Sequence, residues 1–227
     1  METLIAYAPL LGQGTLVTIS VAVLSLVLAT FLGALGAIAK LSGGMLPTGV
    51  AGIYTTIVRG VPDLVLILLI YFGGQRLVND IGRGLDLDYI EVSKFWSGVV
   101  SIGFIYGAYL TETFRGAYLS VPKGQPEAAY ALGLNRGQTL RLVTLPQLLR
   151  HALPGYGNVW MVLVKSTAVV SVIGLEDLVG LADKAGKSTR EPFLFFTAVI
   201  LVYLAITAAS NWGLRQVDRR VSKGITA

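Results

Sequence analysis

Long apolar stretches separated by short polar ones make up most of this chain. No Asp, Glu, Lys or Arg occurs between Glu2 and Lys40, and a second uncharged stretch covers residues 192–214. About 20 apolar residues are enough for an α-helix to cross the hydrocarbon core of a bilayer. The pattern predicts an all-α integral membrane protein in which one transmembrane domain covers residues 1–227. It has about five spanning helices, at residues 11–39, 52–74, 96–117, 152–175 and 193–214.

The composition agrees with this interpretation. Of the 227 residues, 54% are hydrophobic and 14% are charged, whereas soluble globular domains usually carry about 25% charged residues. The chain has no cysteine, which excludes disulfide bonds and thiolate metal sites. A single histidine, His151, is too little for a histidine-based metal centre, so no metal site is predicted.

Lysine and arginine are distributed unevenly between the two sets of loops. The loops on one side hold six, and these share their segments with eight acids. Because cytoplasmic loops carry the excess of Lys and Arg, the N-terminus is predicted outside and the C-terminus inside. The cations assigned to the cytoplasmic side number ten: Lys40, Arg115, Lys123, Arg136, Arg141, Arg150, Arg215, Arg219, Arg220 and Lys223.

Four ionisable residues lie inside the predicted spans, namely Arg59, Asp63, Glu112 and Lys165. An ionisable group at membrane depth is costly and is by default a candidate functional group. Arg59 and Asp63 are four residues apart, which predicts that they share one helix face and can pair. Such a pair either shapes a kink at Pro62 or leaves Asp63 beside the path of a cationic side chain.

The other two intramembrane charges also have two interpretations each. Glu112 precedes Arg115 by three residues, which predicts a structural ion pair at the end of the third span; contact with substrate is the alternative. Lys165 is followed by Ser166 and Thr167. It either lines a translocation cavity or pairs with another subunit.

The segment between the third and fourth spans carries signals for a short helix outside the membrane. Pro126 suits a first helical turn, Glu127 complements the helix dipole, and Gly133 provides a helix end. A helix of two turns is marginal by itself. Its apolar residues, which include Ala128 and Ala129, are therefore predicted to dock into a groove of a partner.

These residues resemble a known motif. Glu127-Ala128-Ala129, Gly133 four residues later and the Leu145-Pro146 pair are similar to the EAA loop of ABC importer permeases, here residues 118–151. The resemblance implies the type I importer permease fold and a coupling helix seated in a cleft of a cytoplasmic ATPase. The implied coupling residues are Glu127, Ala128, Ala129, Gly133, Leu145 and Pro146.

A narrower resemblance covers most of the chain. Arg59-Gly60-Val61-Pro62 is similar to a motif of polar amino-acid permeases. Residues 59–69, 103–117 and 165–178 look closer still to the Q-type subunits of histidine/lysine/arginine/ornithine permeases and their arginine and opine relatives. Relatives often place an acid directly after the residue that is Asn158 here, but this chain has Val159. The resemblance therefore leaves a substrate-facing carboxylate to the companion permease. The implied substrate pathway residues are Arg59, Asp63, Glu112, Lys165, Ser166 and Thr167.

This resemblance also implies an assembly and a location. The importer would contain this chain, a second permease, two copies of a cytoplasmic ATPase and a periplasmic amino-acid-binding protein. It would lie among the lipids of the bacterial inner membrane and bind no nucleic acid. ATP and magnesium would be bound by the ATPase chain, and the cargo would be a cationic amino acid such as histidine, arginine, lysine or ornithine.

Other functions are consistent with part of the same sequence evidence. A permease for opines or other polar amino acids has the same motifs, whereas a channel or an intramembrane hydrolase is consistent with the hydropathy alone. No filter-like segment is visible, and His151 lacks a recognisable nucleophile and orienting partner. No complete Gly-x-x-x-x-Gly-Lys-Ser/Thr loop occurs, so ATP hydrolysis is assigned to another chain and this chain is not predicted to be an enzyme.

Overall fold

The computed structural model describes residues 2–221, and its regular elements over that range are all helical, which confirms the predicted fold class. The helices, in chain order, are α1 (Glu2–Leu41), α2 (Met45–Gly60), α3 (Asp63–Gly84), α4 (Lys94–Leu119), α5 (Gly124–Ala131), α6 (Arg136–Thr139), α7 (Leu145–Ser166), α8 (Leu178–Thr189) and α9 (Pro192–Val221). A π-helical turn (Leu140–Thr144) joins α6 to α7, and a 3₁₀ segment (Thr167–Ile173) continues α7.

Helix α4 lies at the centre of the bundle, with α1, α2, α3 and α7 packed around it. Helices α1 and α4 approach closely because glycines on each face large side chains on the other. A Cβ atom on Gly103 would lie 2.7 Å from the Leu28 side chain, and one on Gly33 would lie 2.6 Å from that of Leu110. Small residues allow such close packing between membrane helices, where dispersion contacts replace the hydrophobic effect.

Four helical segments among the described residues are long and apolar enough to cross a membrane: Thr3–Leu41, Asp63–Gly84, Arg136–Ile173 and Pro192–Arg220. Helix α4 covers the third predicted span but is not one of these four. Its hydroxyl residues Ser97, Ser101 and Thr111 are buried inside the bundle. Because its neighbours cover it, this central helix does not need a continuous apolar surface toward lipid.

The second predicted span is divided at a proline. Helix α2 ends at Gly60, Val61 has extended backbone angles, and α3 begins at Asp63 directly after Pro62. Proline cannot donate a backbone hydrogen bond and disfavours helical geometry in the residue before it. Residues 52–74 therefore contain the end of one helix and the first half of another, and α3 continues to Gly84.

The helix of the fourth predicted span begins about 16 residues earlier than the sequence indicates. Asn135 and Gln138 form a capping box, in which each side chain accepts a backbone N–H of the other residue at 3.0 and 2.9 Å. The chain then remains helical to Ile173. Residues 136–151, which the motif assigns to the coupling loop, thus belong to the first part of a long helix.

The short helices α5 and α8 lie at opposite ends of the bundle. Helix α5 follows the end of α4, whereas α8 packs against the beginning of α1 and against α9. The Tyr7 and Phe195 rings meet with centroids 5.3 Å apart, so α1 and α9 begin at the same end. Helix α9 therefore finishes at the opposite end from the start of α1, in agreement with an odd number of crossings.

Which end faces the cytoplasm stays a prediction, and labelling tests it. Because the chain has no cysteine, single cysteines can be introduced without background. We expect an impermeant thiol reagent to label Asp88→Cys in intact cells but to label Ser42→Cys only after the cells are broken. Labelling of Ser42→Cys in intact cells would reverse the orientation. A cysteine at Thr226 tests the C-terminal tail; Thr226 and Lys223 lie outside the described residues.

Candidate coupling helix and translocation surface

Helix α5 is the short helix that the sequence predicts, and Gly133 ends it. Gly133 has φ +85°, a left-handed conformation in which a Cβ atom is unfavourable. Its N–H donates to the Tyr130 carbonyl at 2.9 Å, and the Leu134 N–H donates to the Ala129 carbonyl at 3.1 Å. These two bonds form a Schellman motif, which turns the chain sharply away from the helix.

The motif residues of α5 divide into an inner and an outer set. Ala129 is buried, and α5 packs against α6 and the π-helical turn of its own chain. Glu127 and Ala128 are exposed, and Leu132 is 81% exposed. Ala129 therefore packs within its own chain, not in a partner's groove as the sequence predicts, and the outer residues remain the predicted surface for a partner. Whether that partner is an ATPase stays a prediction at this point.

Leu145 and Pro146 lie beside α5 at the start of α7. The Leu145 N–H donates to the Leu140 carbonyl, five residues back. In a regular α-helix the ring of Pro146 would clash with the carbonyl four residues back. The wider π-helical turn at this point avoids that clash. The Gln147 side chain then contacts that of Gln125 at 3.4 Å. The fold thus brings α5 and the start of α7, two separate parts of the predicted coupling segment, into contact.

A charged cluster joins α1, α2 and α4. The Glu112 carboxylate accepts from Arg115, with Nη2 2.9 Å away, which agrees with the predicted pair. It also accepts from Lys40 at the end of α1, at 2.5 Å, and the Lys40 ammonium donates to the Thr55 hydroxyl of α2 at 2.6 Å. The sequence analysis missed Lys40 as a partner because 72 residues separate it from Glu112.

Asp63 is part of a hydroxyl cluster rather than an ion pair. Its Oδ2 atom lies 3.0 Å from the Tyr106 hydroxyl and 3.3 Å from the Ser166 hydroxyl, and the two hydroxyls are 2.5 Å apart. Asp63 begins α3, and Ser166 ends α7. The cluster therefore ties two helix interruptions to the central helix α4.

The prediction that Arg59 and Asp63 share one helix face is wrong. The extended residues at Val61 and Pro62 separate the two helices that carry them, so the spacing of four residues loses its helical meaning. Among residues 2–221 no ion pair joins them. The Arg59 guanidinium instead lies over the Tyr109 ring, 5.4 Å from its centroid.

The last two residues of α7 and the first residue of the 3₁₀ segment point in different directions. Lys165 is exposed, and within residues 2–221 it forms no ion pair. Ser166 joins the Asp63 cluster, as described above. Thr167 is buried; its hydroxyl donates to the Val164 carbonyl at 2.7 Å and lies 3.3 Å from the Tyr203 hydroxyl on α9. Only the first two can contribute to an accessible surface.

Two tyrosines that the sequence analysis did not single out complete this region. The Tyr106 and Tyr109 rings stack with centroids 5.5 Å apart; one contacts Asp63 and the other contacts Arg59. Their spacing of three residues on α4 was a possible signal, since it places both on one face of that helix. We call Arg59, Asp63, Tyr109 and Ser166, together with the buried Tyr106 behind them, the translocation surface.

The sequence also contains the end of a phosphate-binding motif, but it lacks the geometry that binds phosphate. Gly186-Lys187-Ser188 ends like a phosphate-binding loop, but Leu181 stands where that pattern requires its first glycine. The triplet lies within helix α8, not between a strand and a helix, so it offers no cradle of backbone N–H groups. Among the residues that the structure describes, no cluster of three His, Asp or Glu suits a metal ion.

A bundle of apolar helices that carries a polar, partly accessible surface and an outward-facing short helix has the features of a membrane transport subunit. The model of the family described as "binding-protein-dependent transport system inner membrane component" matches residues 29–223. The chain belongs to this family. It is therefore a multi-pass membrane protein, and family membership argues against the channel and hydrolase alternatives.

Curated relatives show which members of this family the chain is similar to. The chain is 47% identical to the histidine/lysine/arginine/ornithine transport system permease protein HisQ of Salmonella typhimurium, over 98% of this chain and 97% of that protein. It is 37% identical to the arginine ABC transporter permease protein ArtQ of Haemophilus influenzae, over 96% of each. The nopaline transport system permease protein NocQ of Agrobacterium fabrum is 39% identical, over 95% and 92%.

Solved structures confirm the predicted importer permease fold. An amino acid ABC transporter in complex with histidines superposes with a TM-score of 0.81 at 31% identity, over 96% of this chain and 97% of the other. A chain of the MetNI methionine ABC transporter superposes with a TM-score of 0.67 at 17% identity, over 94% of both chains. The latter similarity concerns the fold alone.

Proposed function

We propose that this chain is the transmembrane permease subunit of an ATP-driven importer whose cargo is a cationic amino acid, namely histidine, arginine, lysine or ornithine. The relatives named above include permeases for these amino acids, which supports the cargo class. The translocation surface supplies an independent physical reason.

The observation that carries the cargo proposal is the free side of the Asp63 carboxylate. Both hydroxyl contacts reach Oδ2, and no donor within residues 2–221 reaches Oδ1. Arg59 is engaged with Tyr109 and does not neutralise Asp63 in an ion pair. A carboxylate in this position offers a cation a strong partner where hydration is poor.

The proposed assembly contains a second permease, two copies of a cytoplasmic ATPase that bind ATP and magnesium, and a periplasmic amino-acid-binding protein, all at the bacterial inner membrane. The outer surface of α5, with Glu127 and Ala128, is assigned to the ATPase. Lys165, which is exposed, is assigned to the cavity between the two permeases. The absence of a complete phosphate-binding loop in the sequence supports a separate ATPase chain.

An opine permease is the second candidate. The similarity to the nopaline permease favours it, and so does the exposed Arg59 guanidinium, because an opine such as nopaline carries more carboxylates than the parent amino acid. Competition of labelled arginine uptake by nopaline distinguishes the two: strong competition favours the opine, and weak competition favours the amino acid.

Replacement of Asp63 by asparagine tests the cargo proposal in the assembled importer. We expect Asp63→Asn to reduce arginine uptake about tenfold or more, because the charge-assisted contact is lost, while glutamine uptake changes little. Asp88→Asn, an exposed loop change, serves as the control for the same substitution. The measurement is uptake into proteoliposomes that contain the complex, with the binding protein and ATP supplied.

Two outcomes would contradict the proposal separately. If arginine uptake by Asp63→Asn equals that of the unmodified complex, at equal expression and basal ATPase activity, Asp63 is a structural partner of Tyr106 and Ser166. If the unmodified complex itself prefers glutamine, the cargo assignment fails.

A further inference from the structure

The end of α9 reaches beyond the apolar span. The uncharged stretch from Pro192 to Leu214 has a length of about 34 Å at 1.5 Å per residue, close to the hydrocarbon thickness of about 30 Å. Arg215 therefore stands at the membrane boundary. The helix then continues to Val221 as part of α9, and this length of about 9 Å would place its end among the lipid headgroups.

A pocket lies on the exposed side of this extension. Trp212, Gln216, Val217 and Arg220 line it, and its volume is about 290 Å³. These positions are i, i+4, i+5 and i+8, so they fall on one side of the helix. The Trp212 side chain is 68% exposed, at the level where membrane proteins concentrate tryptophan.

The chemistry of the pocket suits an amphipathic anion. The Arg220 guanidinium presents a planar set of donors that matches phosphate oxygens, and the Gln216 amide adds another donor. Among residues 2–220 no carboxylate forms an ion pair with Arg220. The indole of Trp212 and the Val217 side chain provide an apolar wall on the side that faces the bilayer core.

The other face of the same helix end is different. A groove between α7 and α9 contains Arg215 but also Asp218, Asn158 and Asn211. A carboxylate beside the guanidinium cancels much of its attraction for an anion. The two arginines therefore carry the same charge at the same helix end, about 7.5 Å apart along its axis, in two unlike surroundings.

We propose that the pocket formed by Trp212, Gln216, Val217 and Arg220 binds the phosphate headgroup of an anionic phospholipid. Continuity with the membrane span favours lipid over a soluble anion, because the apolar wall is contiguous with the spanning part of α9. This inference rests on the membrane position of α9 and is independent of the proposed cargo.

Native mass spectrometry of the purified full complex tests the site. The complex is reconstituted in nanodiscs of phosphatidylcholine with 20% phosphatidylglycerol, and retained phosphatidylglycerol is counted. We expect Arg220→Gln to lower retention about fivefold and Trp212→Ala to lower it as well, with Arg220→Lys intermediate. Arg215→Gln, which removes the same charge from the same helix, is expected to change retention little.

Each other result overturns the proposal in a specific way. Equal losses for Arg220→Gln and Arg215→Gln would indicate general attraction to a basic surface without a site. Displacement of the lipid by millimolar inorganic phosphate would indicate a soluble anion as the occupant. Unchanged lipid retention together with loss of the copurifying ATPase in Arg220→Gln would make the pocket a protein contact. The three substituted residues, Trp212, Arg215 and Arg220, are exposed, so the substitutions are not expected to impair folding.

Discussion

Replacement of Gly133 by valine is expected to abolish coupled transport. Gly133 adopts φ +85°, and a left-handed conformation costs an ordinary L-residue about 1–2 kcal/mol, more for a β-branched one. Valine would therefore break the two hydrogen bonds that end α5 and would redirect the chain toward Leu134. Because α5 has only eight residues and is marginal alone, its outer surface would lose its orientation.

The measurement is ATP-driven uptake together with copurification of the ATPase. Gly133→Asn should retain most activity, because asparagine tolerates the left-handed region better than other residues. Gly116→Val is the matched control: Gly116 lies in α4 shortly before the same segment, and a Cβ atom there meets nothing within 4 Å. Wild-type uptake and ATPase retention in Gly133→Val would refute the role of α5.

Glu127→Lys probes the same surface without affecting the fold. Glu127 is exposed and lies in the first turn of α5, so charge reversal costs only the modest interaction of its carboxylate with the helix dipole. If the outer surface of α5 meets the ATPase, this variant should retain assembly of the permease pair but lose ATPase binding or the coupling of hydrolysis to uptake.

Removal of the Lys40 ammonium is expected to cause the second largest effect. Lys40→Met leaves the Glu112 carboxylate with Arg115 alone and removes the bond to Thr55. The side chains of Lys40 and Glu112 are 15% and 20% exposed, so solvent replaces the lost partner poorly. A charge-assisted hydrogen bond contributes about 1.5–3 kcal/mol, and we expect the apparent Tm of the complex to fall by about 5 °C or more.

The chain supplies a matched control for this prediction. Lys184 and Glu176 form a pair with the same 2.5 Å separation, but both side chains are more than 60% exposed. Exposed pairs contribute about 0–1 kcal/mol, so Lys184→Met should leave the Tm nearly unchanged. Equal effects of the two substitutions would show that burial of the Lys40–Glu112 pair is unimportant.

A double variant separates stability from coupling. Replacement of both members of a buried pair by apolar residues is often neutral. The remaining Arg115 side chain is 37% exposed and can be solvated, so Lys40→Met with Glu112→Leu should recover much of the lost Tm. If uptake recovers as well, the cluster has a structural role alone. If uptake stays low at restored Tm, the link between α1, α2 and α4 contributes to transport, and Lys40→Arg should then preserve it.

Local features of this protein could be predicted from its sequence because their causes lie within a few residues. The uncharged stretches define α1 and α9, because a long apolar run by itself predicts a spanning helix. Pro126, Glu127 and Gly133 determine α5 through its start, its dipole and its left-handed end. Glu112 and Arg115 pair within one turn of α4. The EAA pattern then connects these local features to a transport family.

The contacts that give the translocation surface its character were decided by the tertiary structure. Tyr106 and Ser166 reach Asp63 from 43 and 103 residues away, and Lys40 reaches Glu112 from another helix. The periodicity of the sequence does not indicate such pairs, because the packing of each helix against its neighbours decides which of its side chains meet. The sequence identified Pro62 as a disturbance, but a spacing of four residues implies one face only where the helix is continuous. Because the helix is interrupted at Pro62, Arg59 and Asp63 contact different residues. The packing of the other helices around α4 determines which residues these are.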